Sequence, residues 1–330
     1  MKLLFATSEV FPLIKTGGLA DVAHSLPIAL ARLGVDVRIV LPAFRSVLQA
    51  VGELRVLGWL NVSSGAEVRV LEASHPEFPF PLWLVDIPSY FDRPGAPYTN
   101  AQGAGWPDNA ARFARFSEAA ALLATDALEL DWKADVVHAN DWQSGLLPAF
   151  LSLQTQPPRT VFTIHNLSYD TQVDFGGFQQ LQLPTHWWAV EIGEFYDRFS
   201  LLKTGLMTSD AITTVSPRYA DEIRTSEYGY GYADILQSHA DKLHGILNGI
   251  DDAVWDPATD PHLSANYSLD GGIRRAKRAN RVALLEALNA SPEALAAQGP
   301  LIGSVGRLVH QKGIDLLLDA IPTILKTTEA

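Results

Sequence analysis

The amino-acid sequence predicts an α/β protein with a parallel, doubly wound sheet. Short apolar runs typical of buried strands alternate with longer stretches of helical periodicity along most of the chain. Polar residues gather where several predicted strands end, which is where binding sites lie in sheets of this class. A strand–loop–helix unit late in the chain repeats the pattern of the first one. We therefore expect one complete domain followed by the beginning of a second.

The first unit has the order strand, loop, helix, strand. An apolar run at residues 2–7 predicts a buried strand, and apolar residues at helical spacing from 19 to 33 predict a helix that ends at Gly34. A second apolar run at 35–41 closes the unit. A helix that connects two neighbouring strands makes them parallel, so this is a βαβ unit.

The loop between the first strand and the first helix carries the clearest chemical signal. Gly17 and Gly18 allow close approach of a ligand to the backbone, and the helix behind them directs its unsatisfied N–H groups into the same space. Lys15 adds a positive charge. Together these features predict a site for a phosphate or a pyrophosphate. Taken alone, the loop is equally compatible with a tight turn beside a solvated lysine.

The remaining elements follow from the same signals. Predicted strands lie at residues 56–62, 68–73, 82–86, 136–142, 160–164, 211–215, 243–250 and 301–306, and predicted helices at 108–127, 144–153, 201–209, 272–288 and 313–325. The first two of these strands are expected to form a hairpin, and Asp108 and Ser216 are expected to cap helices. The long segment 88–107 is typical of a binding loop. A second sheet is expected to begin near Gly245.

Composition restricts the class of function. Of the 330 residues, 47% are hydrophobic and 19% are charged, as in folded globular proteins. The formal net charge of −12 disfavours nucleic acid as a partner. There is no cysteine, which excludes disulfides and thiol nucleophiles and makes a reducing cytoplasm the expected compartment. No run approaches the ~18 apolar residues of a membrane span, and Ser8 and Glu9 interrupt the N-terminal run too early for a signal peptide.

Four polar clusters at strand ends are candidates for chemistry: residues 15–18, residues 138–142, His165 with Asn166, and Arg307 with Lys312. Two basic side chains beside a strand–helix loop suit a diphosphate, although they are also common as surface charge. Single histidines such as His138 and His165 are more often hydrogen-bonded structural residues than catalytic ones, and Trp142 is expected to pack. No pattern typical of a metal site, a serine nucleophile, a dinucleotide fold or a P-loop occurs.

Several motifs, taken in order, resemble those of bacterial glycogen synthases and plant starch synthases. They lie at residues 8–22, 92–98, 108–113, 138–142, 163–167, 203–206, 214–217, 247–257, 306–308 and 311–313. Individually several are weak, but together they run in family order over nearly the whole chain. The chain is therefore identified as a member of this family.

The resemblance implies a GT-B-type enzyme with two Rossmann-like domains, at residues 1–244 and 245–330, the second incomplete. It implies retaining transfer of glucose from ADP-glucose to the non-reducing end of an α-1,4-glucan, with no metal and no cofactor besides the donor. The implied catalytic residues are His165, Lys15, Arg307 and Lys312. The implied substrate-binding residues are Lys15, Gly17, Gly18, Asp21, Tyr98, Asp141, Asn166 and Asn248. Lys15 and Lys312 are expected to hold one sugar diphosphate from the two domains.

The chain departs from the family pattern in two places. Asn140 stands where the family usually has a histidine, and Asp170 with Thr171 replaces the usual Gln-Gly pair. The family's second domain also continues beyond residue 330, so we expect this chain by itself to be impaired or inactive.

Three other functions stay open at this stage. A UDP-glucose or sucrose-type enzyme of the same architecture is one, and a glucan-binding or regulatory protein without turnover is another. A glucan phosphorylase is more distant, because it would need a lysine for pyridoxal phosphate in sequence that is not present here.

Overall fold

The computed structural model describes residues 1–297, 299–306, 308 and 310–328. Within them the chain forms two compact units, Met1–Gly249 and Ile250–Ala330. The division lies five residues after the predicted boundary at 244/245. No described helix is long and apolar enough to cross a membrane.

The strands are β1 (Lys2–Ala6), β2 (Asp36–Pro42), β3 (Leu54–Asn61), β4 (Glu67–Ala73), β5 (Leu82–Asp86), β6 (Val136–Asn140), β7 (Arg159–Ile164), β8 (Gln172–Val173), β9 (Glu194–Phe195), β10 (Arg198–Ser200), β11 (Ala211–Thr214) and β12 (Leu243–Gly245). The α-helices are α1 (Gly18–Arg32), α2 (Arg45–Ala50), α3 (Pro88–Phe91), α4 (Asn109–Ala124), α5 (Leu147–Ser152), α6 (Phe175–Gln180), α7 (Leu201–Thr208), α8 (Pro217–Glu222), α9 (Ala233–Ser238), α10 (Ile273–Ala287), α11 (Pro292–Ala296) and α12 (Ile314–Thr328).

The main sheet has the strand order β12-β11-β7-β6-β1-β2-β5-β4-β3, and a small sheet has the order β8-β10-β9. Every pair from β12 to β5 is parallel, which confirms the predicted parallel, doubly wound sheet for this part. The edge formed by β4 and β3 is antiparallel. The pair β3–β4 is the predicted hairpin, and β5 continues the antiparallel edge because β3, β4 and β5 are joined by short connections without a helix.

The predicted second sheet is not found where it was expected. Residues 243–245 are instead the edge strand β12 of the first sheet, paired in parallel with β11. The absent side chain of Gly245 matters, since a Cβ there would lie 2.4 Å from the Cα of Pro217. Residues 301–306 were predicted as a strand but have no regular structure, and Val305 is fully exposed. The described part of the second unit offers them no partner strand.

The helix ends test two predicted caps. Ser216 caps α8 as predicted, because its side chain accepts a hydrogen bond from the backbone N–H of Tyr219. Asp108 precedes α4, but its carboxylate does not cap the helix. It instead accepts two hydrogen bonds from Arg93, at 2.6 and 3.0 Å. The predicted cap at Asp108 is therefore wrong, because its carboxylate binds the guanidinium of Arg93, a residue of the long loop at 88–107.

The helix α4 is buried along nearly its whole length and anchors the long loop at 88–107. Arg112 on α4 donates to the carbonyl oxygens of Tyr90 and Pro97, at 2.8 and 3.0 Å. Its guanidinium carbon also lies 5.3 Å from the ring centroid of Phe91 and 5.5 Å from that of Phe113. A buried cation needs this many partners, so the loop is fastened to the core at its centre.

Candidate active site

Three neighbouring strands bring the polar clusters of the first unit to one edge of the sheet. The strands β7, β6 and β1 are adjacent and parallel, so their carboxyl ends lie side by side. Asp141 follows β6 and His165 follows β7, while the glycine loop follows β1. The sequence prediction of a shared site at these strand ends is consistent with this arrangement.

Glu9 organises the glycine loop. Its carboxylate is buried and accepts hydrogen bonds from the backbone N–H groups of Thr16 and Gly17, at 2.5 and 3.2 Å. It also accepts from the Thr16 hydroxyl at 2.6 Å. Two of the N–H groups that the sequence offers to an anion are thus already bound to Glu9. The remaining N–H groups at the start of α1 begin at Gly18.

The two glycines leave open space above the loop. Neither has a positive φ, and a Cβ built on Gly17 or Gly18 would meet no atom within 4 Å. A left-handed turn and internal packing therefore do not explain why glycine stands there. Open space over bare backbone is what a ligand that approaches the chain closely requires.

Lys15 is exposed and paired with Asp21. Its ammonium nitrogen lies 2.7 and 2.8 Å from the two carboxylate oxygens of Asp21. Both side chains are about half exposed, at 46% and 55%. An exposed ion pair of this kind stabilises the fold by only about 0–1 kcal/mol, so Lys15 can exchange Asp21 for another anion at small cost.

Tyr98 links the long loop to Glu9. Its hydroxyl donates to Glu9 at 2.7 Å and lies 2.7 Å from the hydroxyl of Ser8. Burial, and then the charge of Glu9, raise the pKa of Tyr98 well above its usual value. Tyr98 therefore stays protonated and holds the loop at 88–107 against the start of the glycine loop.

Asp141 is held in an unusual backbone conformation next to His165. It has φ 55° and ψ −179°, a region that non-glycine residues adopt only when their surroundings enforce it. The backbone N–H of His165 donates to its carboxylate at 2.7 Å. Burial raises the pKa of Asp141 to about 7, although this hydrogen bond opposes the shift. Asp141 can therefore exchange a proton near neutral pH.

His165 is neutral at physiological pH. Its Nε2 atom lies 3.0 Å from the side-chain oxygen of Asn140, and burial lowers its pKa to about 4. The nearby charge of Glu9 opposes this shift. A neutral imidazole can donate or accept a hydrogen bond at a sugar hydroxyl without adding a positive charge.

His138 has a structural position, as predicted. Its ring packs against Phe5 with the centroids 4.8 Å apart, and its Nε2 atom lies 2.5 Å from the hydroxyl of Thr163. Burial, followed by the effect of His165, lowers its pKa to about 3. Trp142 also packs, edge to face against Phe113 at 5.0 Å.

The remaining predicted site residues are Asn166, whose backbone hydrogen-bonds to the carboxylate of Asp141, and three residues that lie outside this cluster of contacts or outside the described residues. The side chain of Asn166 accepts hydrogen bonds from the backbone and hydroxyl of Ser168, and Asn248 is exposed in an irregular segment after β12. Lys312 is exposed in a short 3-10 turn of the second unit. Arg307 lies outside the described residues. The functional roles assigned to all of these residues stay predictions.

Asp170, one of the two departures from the family pattern, has a structural role. Its carboxylate accepts from the hydroxyls of Tyr232 and Ser200, at 2.6 and 2.8 Å, and from the backbone N–H of Leu202 at 3.1 Å. It thereby ties the segment after β7 to the start of α7.

Sequence reasoning missed the part played by Glu9 and Asn140. The sequence indicates for Glu9 only an interruption of the N-terminal apolar run within the motif at 8–22, and for Asn140 only a departure from the family pattern. A signal for Glu9 was present, because a carboxylate directly after a buried strand, close to a glycine loop, has several backbone N–H groups within reach.

Comparison with known proteins agrees with the fold. A doubly wound α/β domain whose polar residues converge at the carboxyl ends of its strands is typical of enzymes that bind phosphorylated ligands. The family model described as the starch synthase catalytic domain matches residues 2–238. The chain belongs to this family, which confirms the resemblance inferred from the motifs.

Individual relatives match over nearly the whole chain. Glycogen synthase 1 of Methylococcus capsulatus is 47% identical over 326 residues, which cover 99% of this chain and 65% of that protein. Glycogen synthase of Hydrogenovibrio crunogenus is 46% identical over 334 residues, covering 99% of this chain and 68% of that protein. The chain thus spans about two thirds of the length of these relatives.

A solved structure shows the same fold. The catalytic domain of starch synthase IV from Arabidopsis thaliana, bound to ADP and acarbose, matches with a TM-score of 0.83 and 31% identity. The match covers 98% of this chain and 66% of that one.

Proposed function

We propose that this protein is a glycogen synthase, which transfers glucose from ADP-glucose to the non-reducing end of an α-1,4-glucan with retention of configuration. Its family membership supports a glycosyltransferase. The relative from Arabidopsis thaliana was solved with ADP and with acarbose, which supports an adenine nucleotide and a glucan as the ligands here.

The observation that carries the proposal is the connection that Glu9 makes between the glycine loop and the two reactive strand ends. Its carboxylate holds the backbone of Thr16 and Gly17, and its charge acts on the pKa values of both Asp141 and His165. Glu9 therefore couples three groups electrostatically. They are the glycine backbone, the neutral imidazole of His165 and the carboxyl group of Asp141, which titrates near neutral pH.

The chemistry of the transfer follows from the groups available. As the glucosyl–oxygen bond breaks, negative charge develops on the leaving diphosphate, which needs positive partners. We assign this role to Lys15, Arg307 and Lys312. His165 contacts the transferred glucose, while Gly17, Gly18 and Asp21 shape the donor side.

The acceptor side requires no nucleophilic carboxylate. We propose that the leaving phosphate deprotonates the acceptor hydroxyl on the same face of the sugar, so the paired carboxylates of a retaining hydrolase are not needed. Tyr98, Asp141, Asn166 and Asn248 line the sugar and the acceptor. We further propose a cytoplasmic location, since ADP-glucose and glycogen would have to meet the protein in the same compartment.

The transfer is tested by incorporation of labelled glucose from ADP-glucose into glycogen. We expect incorporation with ADP-glucose to exceed that with UDP-glucose, and His165→Gln to lower the rate at least about a hundredfold, as removal of a hydrogen-bonding group at a transition state does. His186→Gln, which changes an exposed histidine outside the site, is the matched control and should leave the rate unchanged.

Two other results would contradict the proposal in different ways. Faster transfer from UDP-glucose would indicate a different donor on the same fold. Retention of glycogen in a pull-down, without measurable transfer even when the chain is joined to the remaining third of a relative, would indicate a glucan-binding protein that lacks turnover.

A further inference from the structure

The side chain of Asn140 lies fully buried among the ends of three strands. Its amide nitrogen is 3.0 Å from the carbonyl oxygen of Ala6 at the end of β1, and 3.4 Å from the carbonyl oxygen of His138 on β6. Its amide oxygen is 3.0 Å from the Nε2 atom of His165, the first residue after β7.

The two carbonyl groups determine which way the amide faces. A carbonyl oxygen can only accept a hydrogen bond, so the NH₂ group of Asn140 must face Ala6 and His138. The side-chain oxygen of Asn140 is then the atom that meets His165. This oxygen can also only accept, so Nε2 of His165 must donate and therefore carries a proton.

We infer that Asn140 is a positioning residue that holds the His165 ring in the neutral form protonated at Nε2. In this form the lone pair of the imidazole lies on Nδ1. The backbone N–H of His165 is fixed independently, by its hydrogen bond to Asp141. The residue is thus held at its backbone by Asp141 and at its ring by Asn140.

The charged and titratable groups around the ring leave this form intact near neutral pH. Glu9, on the loop after β1, favours the protonated imidazolium, but burial outweighs it and lowers the pKa of His165 to about 4. His138 on β6 is itself neutral, with its pKa lowered to about 3. The carboxyl group of Asp141, after β6, is engaged by the backbone of His165. Asn140, which never titrates, therefore decides the tautomer.

Nitrogen-15 spectra of the histidine rings of the full chain test the inference directly. The signal that disappears in His165→Gln identifies His165 among the nine histidines. We expect a pyrrole-type signal for its Nε2 and a pyridine-type signal for its Nδ1 at neutral pH. A pyridine-type Nε2, or rapid averaging between the two tautomers, would overturn the inference.

Two substitutions separate positioning from folding. Asn140→Asp keeps an acceptor for Nε2 of His165, and its second oxygen, when protonated, can donate to the carbonyl oxygen of Ala6 as the NH₂ group of Asn140 does, so His165 should stay protonated at Nε2. Asn140→Leu removes the acceptor, so the Nδ1-protonated form should become detectable. The signals of the other histidines report whether each variant is folded. A pyridine-type Nε2 of His165 in folded Asn140→Asp, or an unchanged tautomer in folded Asn140→Leu, would also overturn the inference.

The consequence for catalysis rests on the proposed function. Asn140→Leu should lower kcat about tenfold or more while leaving KM for the glucan unchanged, and Asn140→Asp, which keeps the tautomer, should retain more of the rate. If the Nδ1-protonated form appears in Asn140→Leu but kcat does not fall, the tautomer of His165 has no part in the transfer. If the protein shows no transfer at all, the proposed function fails while the spectra still decide the role of Asn140.

Discussion

At the scale of single residues, the site is defined by which backbone N–H groups already make hydrogen bonds within the protein and which parts of the backbone a ligand can still reach. Glu9 saturates two N–H groups of the glycine loop, whereas the space above Gly17 and Gly18 is empty of protein atoms. The fold therefore does not require glycine at these two positions, and we predict that a bound ligand does. Gly34, at the end of the same helix, differs because its φ of 85° requires glycine for conformational reasons.

This difference predicts opposite results for two glycine substitutions. Gly18→Ala should leave the free energy of unfolding unchanged or slightly higher, because alanine is the better helix former, yet weaken binding of ADP-glucose at least about tenfold. Gly34→Ala should lower the free energy of unfolding by about 1 kcal/mol and leave binding unchanged. Urea unfolding and calorimetric titration measure the two quantities. Loss of stability in Gly18→Ala would show that this glycine serves the fold.

At the scale of elements, neighbouring strands are joined by side chains as well as by backbone. His138 on β6 contacts the hydroxyl of Thr163 on β7, which in turn contacts the hydroxyl of Thr213 on β11, both at 2.5 Å. This line of polar contacts crosses three strands just below the site. Because the half-buried ring of His138 is desolvated and neutral, a positive charge on it costs free energy in the folded state.

The stability of the protein should accordingly depend on pH through His138. The unfolded chain takes up a proton near the ordinary pKa of 6.5, while the folded protein does so only near 3, so the folded state loses stability as the pH falls through 6.5. His138→Gln removes this group. The free energy of unfolding of this variant should lie below that of the original protein at about pH 7.5. At about pH 5 this difference should be smaller by about 2 kcal/mol, since one pKa unit is 1.36 kcal/mol.

The contributions of the other titrating groups cancel when His138→Gln is compared with the original protein, because both proteins carry them. His165 acts in the same direction as His138, whereas Asp141, with its raised pKa, stabilises the folded state as the pH falls through about 7. Denaturant unfolding at the two pH values gives the difference. A destabilisation that does not vary with pH would mean that His138 is not buried as a neutral ring.

At the scale of the whole molecule, local sequence signals predicted the elements better than their partners. The βαβ unit at the N-terminus, the hairpin of β3 and β4 and the cap at Ser216 each depend on a few adjacent residues, and the structure confirms them. The strand β12 was misassigned because three residues do not indicate which sheet they join. Its membership depends on β11, about 30 residues earlier in the chain.

For the candidate site too, the sequence predicted individual residues better than the contacts between them. The polar residues that end β6 and β7 were predicted, because strand ends can be located from the sequence. The contacts among them were not, since Asn140 and His165 are 25 positions apart and Tyr98 reaches Glu9 across 89. Such pairs depend on the order of the strands in the sheet. That order cannot be read from a single sequence.

The central claim is that the strand-end site around His165 receives the glucosyl unit of ADP-glucose. The most direct measurement is the ring nitrogen spectrum of His165 during titration with ADP-glucose, with UDP-glucose as the comparison. We expect a saturable change at His165 that appears at a lower concentration of ADP-glucose than of UDP-glucose. Binding of ADP-glucose without any change at His165, or changes confined to other histidines, would contradict it.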